Sequence, residues 1–402
     1  MKLASNSCCL ALVACAIFAG VNASETSRNR PLFPVAAKHK IPDAERTFDE
    51  IRKLILENYY TDEISEGDLY WAAIQGMLEH ISPPEDPDRA TLWSPEQYER
   101  VFNSLRGVRI SAGIKSNFNQ VDGSLTVTEV YPGSPADGLV QPLDRILRID
   151  GEKLLGKSVT EIDALLNGNP GKTIVLTVVR DIEMMKIPLV FKSFKAENVV
   201  AEMLPGGTGY LIIRKVSSGI TDEVREVIGP WTDAGLEKLI IDLRGNSGGV
   251  FGEALKLAEL FLQAKTPVLH TLERGDRVQT FVSGNERPAA FELALLVDGK
   301  TASSSEIFAA ALQANGKARL VGTATFGKAT VEKTFTLENE YRVKFIVGAM
   351  YQPGGKTWHD SGLKPDVTID EDAARLARIA RLPAADRLRN DRQLNAAWQL
   401  LQ

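Results

Sequence analysis

Cysteine is nearly missing from this chain of 402 residues: all three, Cys8, Cys9 and Cys15, fall within the first fifteen positions. The remainder can form no disulfide and no cysteine-based metal site. Histidine is almost as scarce. The four present, His39, His80, His270 and His359, stand at no metal-ligand spacing such as His-Glu-x-x-His and in no recognisable hydrolase motif, so neither a zinc nor a Ser-His-Asp mechanism finds its residues. His359, after Trp358 in a glycine-rich stretch, reads as a surface residue. Strong charge of either sign is lacking too: the formal net charge is −5, which gives no hint of nucleic-acid or phosphate partners. Beyond the N-terminal segment no apolar run reaches the ~20 residues that a bilayer span requires. A phosphate-binding loop is also missing. Asn169-Pro170-Gly171-Lys172-Thr173 has Leu166 where the first glycine of such a loop belongs, and a strand pattern follows it where a helix is needed. No cofactor or metal is expected.

What is present begins with a targeting pattern. Lys2, an apolar run from Cys8 to Gly20 and the small-residue site Val21-Asn22-Ala23 read as a secretory signal peptide over residues 1–23. Two other readings stand beside it. Leu12-Val13-Ala14-Cys15 resembles a bacterial lipobox, whose cysteine would be lipidated, and an uncleaved membrane helix would need a longer apolar run. The mature chain is expected in the periplasm, with a membrane tether through Cys15 under the second reading.

Residues 24–42 form a flexible leader. Over 43–106 the pattern is helical: Phe48, Ile51, Leu54, Ile55 and Tyr59 make one stripe, Leu69, Ala73, Ile74, Met77 and Leu78 another, and both read as packing faces. Ser82-Pro83-Pro84-Glu85-Asp86-Pro87 breaks the pattern, and Ser94-Pro95-Glu96-Gln97 opens a further helix with a capping box. Residues 107–195 change to short strands, among them Leu125–Val130 and Ile174–Val179, with a short helix opening at Gly133-Ser134-Pro135-Ala136 and an amphipathic helix over Val159–Leu166. From 196 to 370 strands and helices alternate as in an α/β core: Tyr210–Ile213, Thr221–Ile228, then Leu239–Leu243 running into Arg244-Gly245-Asn246-Ser247-Gly248-Gly249. Glycines at that place let a ligand approach backbone N–H groups; a simple glycine-rich turn is the plainer reading. Residues 371–402 are a helical tail that packs on its own core or docks a neighbouring subunit.

The stretch from Glu292 to Thr334 concentrates the chemistry. An apolar run, Leu293–Val297, crosses a small-residue turn into an alanine-rich helix near Ser304, so Ser303, Ser304 and Ser305 sit where strand becomes helix. Arg319-Leu320-Val321 then leads to Thr325-Phe326-Gly327-Lys328, which puts a lysine in a tight loop. A serine hydroxyl needs an adjacent base, and a helix N-terminus offers N–H groups to a developing oxyanion. Taken locally, serines before a helix are N-caps and a lysine after glycine is a solvated charge.

Thr301-Ala302-Ser303-Ser304-Ser305-Glu306 and Phe326-Gly327-Lys328-Ala329-Thr330-Val331-Glu332 resemble the active-site runs of the carboxyl-terminal processing (tail-specific) proteases, Ser-Lys peptidases with an embedded PDZ domain. The resemblance implies Ser303 as nucleophile, Lys328 as general base and the Ser304 N–H as one oxyanion donor, paired with Gly248 or Gly249 of the Asp-Leu-Arg-x-Asn-x-Gly-Gly run. Tyr131–Gly138 and Leu143–Gly151 are similar to a PDZ domain, with Leu143 where the family has glycine; there Ala112, Gly113 and Ile114 would hold a peptide's terminal carboxylate. Tyr351–Gly355 and Gly362–Val367 match late core motifs, so the resemblance runs over roughly residues 45–370. The implied fold is α/β with an embedded β-rich PDZ domain, a crotonase/Clp-like protease core and an N-terminal helical region. Two departures stand out: Ala329 replaces glycine, and Glu332 replaces the glutamine that orients the lysine. A lysine acts as base only when neutral, which requires its pKa to fall from ~10.4 toward ~7–8. An ionised carboxylate about 4 Å away opposes that by roughly 4 kcal/mol at an effective dielectric near 20. A protonated Glu332 would instead resemble the amide. The expected function is a periplasmic serine endopeptidase that recognises apolar polypeptide C-termini through its PDZ domain; the alternative is a catalytically silent, peptide-binding relative in which Glu332 locks Lys328 as an ammonium. An adaptor protein and self-association through the terminal helices complete the expected partners.

Overall fold

The computed structural model describes residues 41–82, 89–195, 197–379 and 382–402. The signal-peptide reading with Cys8, Cys9 and Cys15, the leader up to residue 40 and the proline-rich break at 83–88 lie outside the described residues. The chain forms two compact units: the N-terminal part to Tyr98 with Val331–Gly348, and Glu99–Thr330 with Ala349–Gln402.

In the first unit, helices Ala44–Asn58 and Glu66–Ile81 form a hairpin in which the Phe48 and Tyr70 rings lie 6.4 Å apart and Arg52 pairs with Glu66. Ser65 starts the second helix with a reciprocal capping box, its N–H donating to Asp68 Oδ2 at 2.8 Å and its Oγ accepting from the Asp68 N–H at 3.2 Å. The two apolar stripes are where helical spacing puts them, yet they are not packing faces. Ile51, Leu54 and Met77 are more than half exposed and Leu78 alone in the second helix is buried, because a two-helix hairpin shares one seam and a wider stripe remains outside it. The same unit contains the strand Thr91–Trp93, antiparallel to Arg342–Tyr351 with Thr91 opposite Lys344, and the strand Thr330–Thr336 pairs with Arg342–Tyr351 as well.

The second unit holds two sheets of six strands. In the first, the strands Ile114–Asn119, Ser124–Val130, Arg145–Ile149, Thr173–Arg180 and Glu183–Val190 are neighbours in that order, with Glu152–Lys153 on the Arg145–Ile149 strand. A core of Leu125, Val127, Ile146, Ile149, Ile174, Leu176 and Leu189 lies beneath it, joined by Ile162 and Leu166 of the helix Val159–Leu166. The helix expected at Gly133 is instead a run of turns, in which the Ser134 N–H reaches Tyr131 O and the Asp137 N–H reaches Ser134 O; these two bonds span three residues, the closure of turns and not of an α-helical ladder. Leu143 adopts φ +75°, the left-handed region that its glycine counterpart enters without strain.

The second sheet runs Val199–Leu204, Thr208–Ile213, Lys238–Asp242, Glu292–Val297, Ala318–Gly322, Val367–Thr368. The first pair is antiparallel and every later pair parallel. Its central strands are apolar on both faces, as a sheet covered on both sides requires. Ile240, Ala294 and Leu296 pack with Leu388, Leu394, Ala397 and Leu401, so the tail helices Ala384–Asn390 and Arg392–Leu400 lie on their own core. The helix begun near Thr221 runs from Ile220 to Asp233, passing through Pro230. No helix among the described residues is long and apolar enough to cross a membrane.

Candidate active site

The buried strand Glu292–Val297 delivers the chain into a turn that Asp298 organises. Its Oδ1 accepts from the N–H groups of Gly245, Lys300 and Thr301 at 2.9, 3.0 and 2.9 Å, and Thr301 Oγ1 donates to Leu243 O at 2.9 Å. The turn is thereby fixed to the glycine loop beside it. Ser303 follows at φ 55°, ψ −119°, and Ser304 begins the helix Ser304–Ala314. A non-glycine residue in that region costs about 1–3 kcal/mol and persists where its surroundings over-determine it; a strained strand-to-helix turn is also how a serine hydroxyl is lifted clear as a nucleophile.

Glu306, one turn into that helix and fully buried, joins this turn to the lysine loop. Its Oε2 accepts from the Ser303 N–H at 2.8 Å and the Lys328 N–H at 2.9 Å, while Oε1 accepts from Gly327 N–H at 2.8 Å and Thr325 Oγ1 at 2.5 Å. The backbones of the expected nucleophile and the expected base therefore meet on one carboxylate. Burial pushes the Glu306 carboxyl above the usual range, and the four hydrogen bonds pull the other way. Because every one of these partners is a donor, the ionised form is the one that satisfies the geometry.

The glycine loop lies against the serines. Gly248 has φ +92°, and a Cβ there would come within 2.7 Å of Ala302 O and 2.8 Å of the Ser304 nitrogen, so only glycine fits. A Cβ on Gly249 would meet Val216 O at 2.2 Å. Ser304 Oγ donates to Gly249 O at 3.0 Å, and the Ala302 N–H donates to Asn246 O at 3.0 Å. Ser304, Gly248 and Gly249 are thus brought together as expected, with one addition: the Gly248 N–H donates to Asn246 Oδ1 at 3.0 Å. Asn246 is itself held, Nδ2 donating to Ile213 O at 2.7 Å.

Sequence reading missed the charged cluster behind that loop. Arg244 Nε and Nη2 donate to Asp242 at 2.9 and 2.6 Å, and Tyr210 OH donates to Asp242 Oδ2 at 2.6 Å. Burial alone would raise the Asp242 carboxyl; Arg244 and the Tyr210 hydroxyl outweigh it and hold it below the usual range. The role of Glu306 was missed as well, although Ser303-x-x-Glu306 is the spacing of a capping box.

Of the two departures from the family pattern, Ala329 is fully buried and its φ is not positive, so alanine there carries no left-handed backbone strain. Glu332 has Lys344 as an ion-pair partner at 3.1 Å on the neighbouring strand. His359 is not a surface side chain: it is only 5% exposed and lies 3.4 Å from Asp360.

At the PDZ-like end, Ala112, Gly113 and Ile114 lead into the edge strand, but the Ala112 N–H donates to Leu166 O at 2.8 Å and the Gly113 N–H to Ser111 Oγ at 3.2 Å. Two of the three expected carboxylate-binding groups therefore hold protein acceptors. The edge strand also touches the core: Lys300 Nζ donates to Asn117 Oδ1 at 2.7 Å, and Glu129 pairs with Lys115, at 3.3 Å, and with Arg214. A cleft of about 800 Å³ lies between them, lined among others by Gly113, Lys115, Arg244, Asp298 and Lys300. Ser303 and Lys328 are not among its lining residues.

A PDZ-like sheet beside a parallel α/β core, with a strained serine, a loop lysine and a glycine loop, defines the class: a PDZ-bearing serine-peptidase fold. Residues 207–369 match the model of Peptidase family S41 and residues 126–180 that of the PDZ domain, so the chain carries a peptidase S41 domain and a PDZ domain. A "Probable CtpA-like serine protease" of Staphylococcus aureus is 28% identical over 326 residues, 80% of this chain and 64% of that protein. The carboxy-terminal processing protease CtpA of Bacillus subtilis is 26% identical over 84% of this chain and 71% of its own. The chain thus spans 64% of the length of its Staphylococcus relatives. Among solved structures, the photosystem II D1 C-terminal processing protease superposes with a TM-score of 0.57 at 20% identity, covering 87% of this chain and all of that one. An S41 protease from Bacteroides fragilis gives 0.57 at 19% identity, covering 90% and 98%. These two likenesses concern the fold.

Proposed function

We propose that this protein is a serine endopeptidase that processes polypeptides from their C-termini, with Ser303 as nucleophile and Lys328 as general base. Glu306 carries the proposal, since one buried carboxylate accepts from the backbone N–H groups of both residues. Ser303 Oγ attacks the scissile carbonyl while the neutral Lys328 amine takes its proton; the oxyanion is met by the N–H groups of Ser304 and of Gly249, or of Gly248 once it leaves Asn246. Lys328 then protonates the leaving amine, and water releases the acyl group by the same route in reverse.

The PDZ domain would take apolar C-termini by strand addition, the terminal carboxylate displacing Leu166 O and Ser111 Oγ from Ala112 and Gly113. The N-terminal sequence pattern supports export to the periplasm. Self-association is proposed through the N-terminal hairpin, whose exposed Ile51, Leu54 and Met77 need cover; an adaptor protein is the other candidate partner for that surface.

The test is hydrolysis of an unfolded protein with an apolar C-terminus, across a pH series, by the mature chain, Ser303→Ala and Glu332→Gln. Activity in wild type, a loss of about 10⁴-fold or more in Ser303→Ala, and a retained or acid-shifted profile in Glu332→Gln are expected. An inert wild type restored by Glu332→Gln alone would overturn the proposal in favour of the silent form.

A further inference from the structure

We propose that Asp391, with Gln393 beside it, is a positioning residue for the reaction: the C-terminal helix sets the glycine loop that flanks Ser303 by holding Arg244. Arg244 stands two residues past the buried strand Lys238–Asp242 and four before Gly248. Its guanidinium is enclosed, with the side chain 9% exposed. Asp242 takes the inner edge. The outer edge goes to the tail, Nη2 donating to Asp391 Oδ2 at 2.8 Å, Nη1 to Asp391 Oδ1 at 3.2 Å and Nη1 to Gln393 Oε1 at 3.0 Å. A planar guanidinium gripped by carboxylates on two edges has its orientation fixed, which an exposed ammonium would not.

Neither tail group can swing. Asp391, 1% exposed, caps the helix Arg392–Leu400, Oδ1 accepting from the Leu394 N–H at 2.9 Å. Gln393 Nε2 donates to Ile369 O at 2.7 Å, and Leu394 and Ala397 are buried against the sheet. On its other side Arg244 is one residue from Gly245, whose N–H is on Asp298, and two from Asn246, which receives Ala302 N–H and Gly248 N–H. A displacement of Arg244 therefore moves Gly248 and Gly249 relative to Ser303 and Ser304. Asp391 touches no reacting atom; it acts through Arg244. Since oxyanion donors act when charge develops in the transition state, the effect falls on kcat and not on KM.

The inference rests on the proposed protease reading for its kinetic consequence only. Asp391→Asn keeps a good N-cap acceptor while removing the charge that pairs with Arg244. In the full chain, kcat is expected to fall about tenfold or more with KM within about twofold, and the amides of Gly245–Gly249 to exchange with solvent about tenfold faster while those of Leu394–Leu400 stay protected. Should Asp391→Asn lose the protection of the tail helix, Gln393→Ala, which leaves the cap in place, repeats both measurements. Loop exchange at the wild-type rate in the protected variant overturns the inference. If the wild type cleaves nothing, the exchange result still decides the positioning role, and only the protease reading fails.

Discussion

At the residue scale the site depends on Glu306. It accepts from four donors across two loops, so Glu306→Gln must turn an amide N–H₂ toward one pair of them and leave those donors buried without an acceptor, at about 1–3 kcal/mol each. We expect Glu306→Gln to lower the melting temperature by several degrees and kcat by roughly 100-fold or more, checked by calorimetry and steady-state kinetics on the same preparation. In the wild type, activity should fail on acidification through a carboxyl pKa displaced upward by burial. Lys215 titrates from the other end. Burial, with Arg109 beside it, lowers its pKa to about 8, and Nζ donates to Ser104 Oγ at 2.7 Å. The folded state therefore releases a proton that the unfolded state keeps until about pH 10.4, and stability contributed by this group rises as pH goes from about 8 toward 10. Chemical denaturation of wild type against Lys215→Met should show that rise, on the order of 1–3 kcal/mol, in wild type alone. Equal pH dependence in both would refute it. The runs that hold Ser303 and Lys328 stand out in sequence because they are local. Glu306's work does not, its partners Gly327 and Lys328 being 21 and 22 residues away, and Asp391 meets Arg244 across 147 residues.

Among the elements, those with strong periodicity were read closely: the helix Val159–Leu166 and the strands Lys238–Asp242 and Glu292–Val297 lie where the pattern puts them. Misreadings have identifiable causes. The short helix expected at Gly133 closes as turns, with bonds such as Ser134 N–H to Tyr131 O spanning three residues, and the stripes on Ala44–Asn58 and Glu66–Ile81 give helix but not burial, since periodicity reports which side is apolar and not what covers it. The PDZ edge shows a related limit. Sequence placed Ala112 and Gly113 in a carboxylate nest, whereas their N–H groups are held by Leu166 O and Ser111 Oγ. Ser111→Ala removes one competitor for the ligand's place. Binding of a peptide with an apolar C-terminus, followed by fluorescence anisotropy, should tighten about two- to fivefold, matching a hydrogen bond of about 0.5–1 kcal/mol. Unchanged or weaker binding would show that the Ser111 hydroxyl does not compete.

For the whole molecule, the compact units do not follow the sequence segments. Val331–Gly348, which sequence assigns to the protease core, groups with the N-terminal helices, because strand pairing with Thr91–Trp93 joins residues some 250 positions apart. Within the second unit the PDZ edge strand meets the Asp298–Thr301 turn through Lys300 and Asn117, and the tail meets the glycine loop through Asp391 and Arg244. The PDZ edge strand, the glycine loop and the C-terminal helix are therefore mechanically adjacent. All of this matters for function only if Ser303 becomes acylated. The direct measurement is the intact mass of the protein, acid-quenched during reaction with an activated ester of a peptide ending in an apolar residue, followed by mapping of the modified site. The expected result is a single acyl group on Ser303, absent from Ser303→Ala and formed roughly 100-fold or more slowly in Lys328→Ala. No adduct, or one on Ser304 or Ser305 that survives Ser303→Ala, would contradict the assignment of Ser303 as nucleophile.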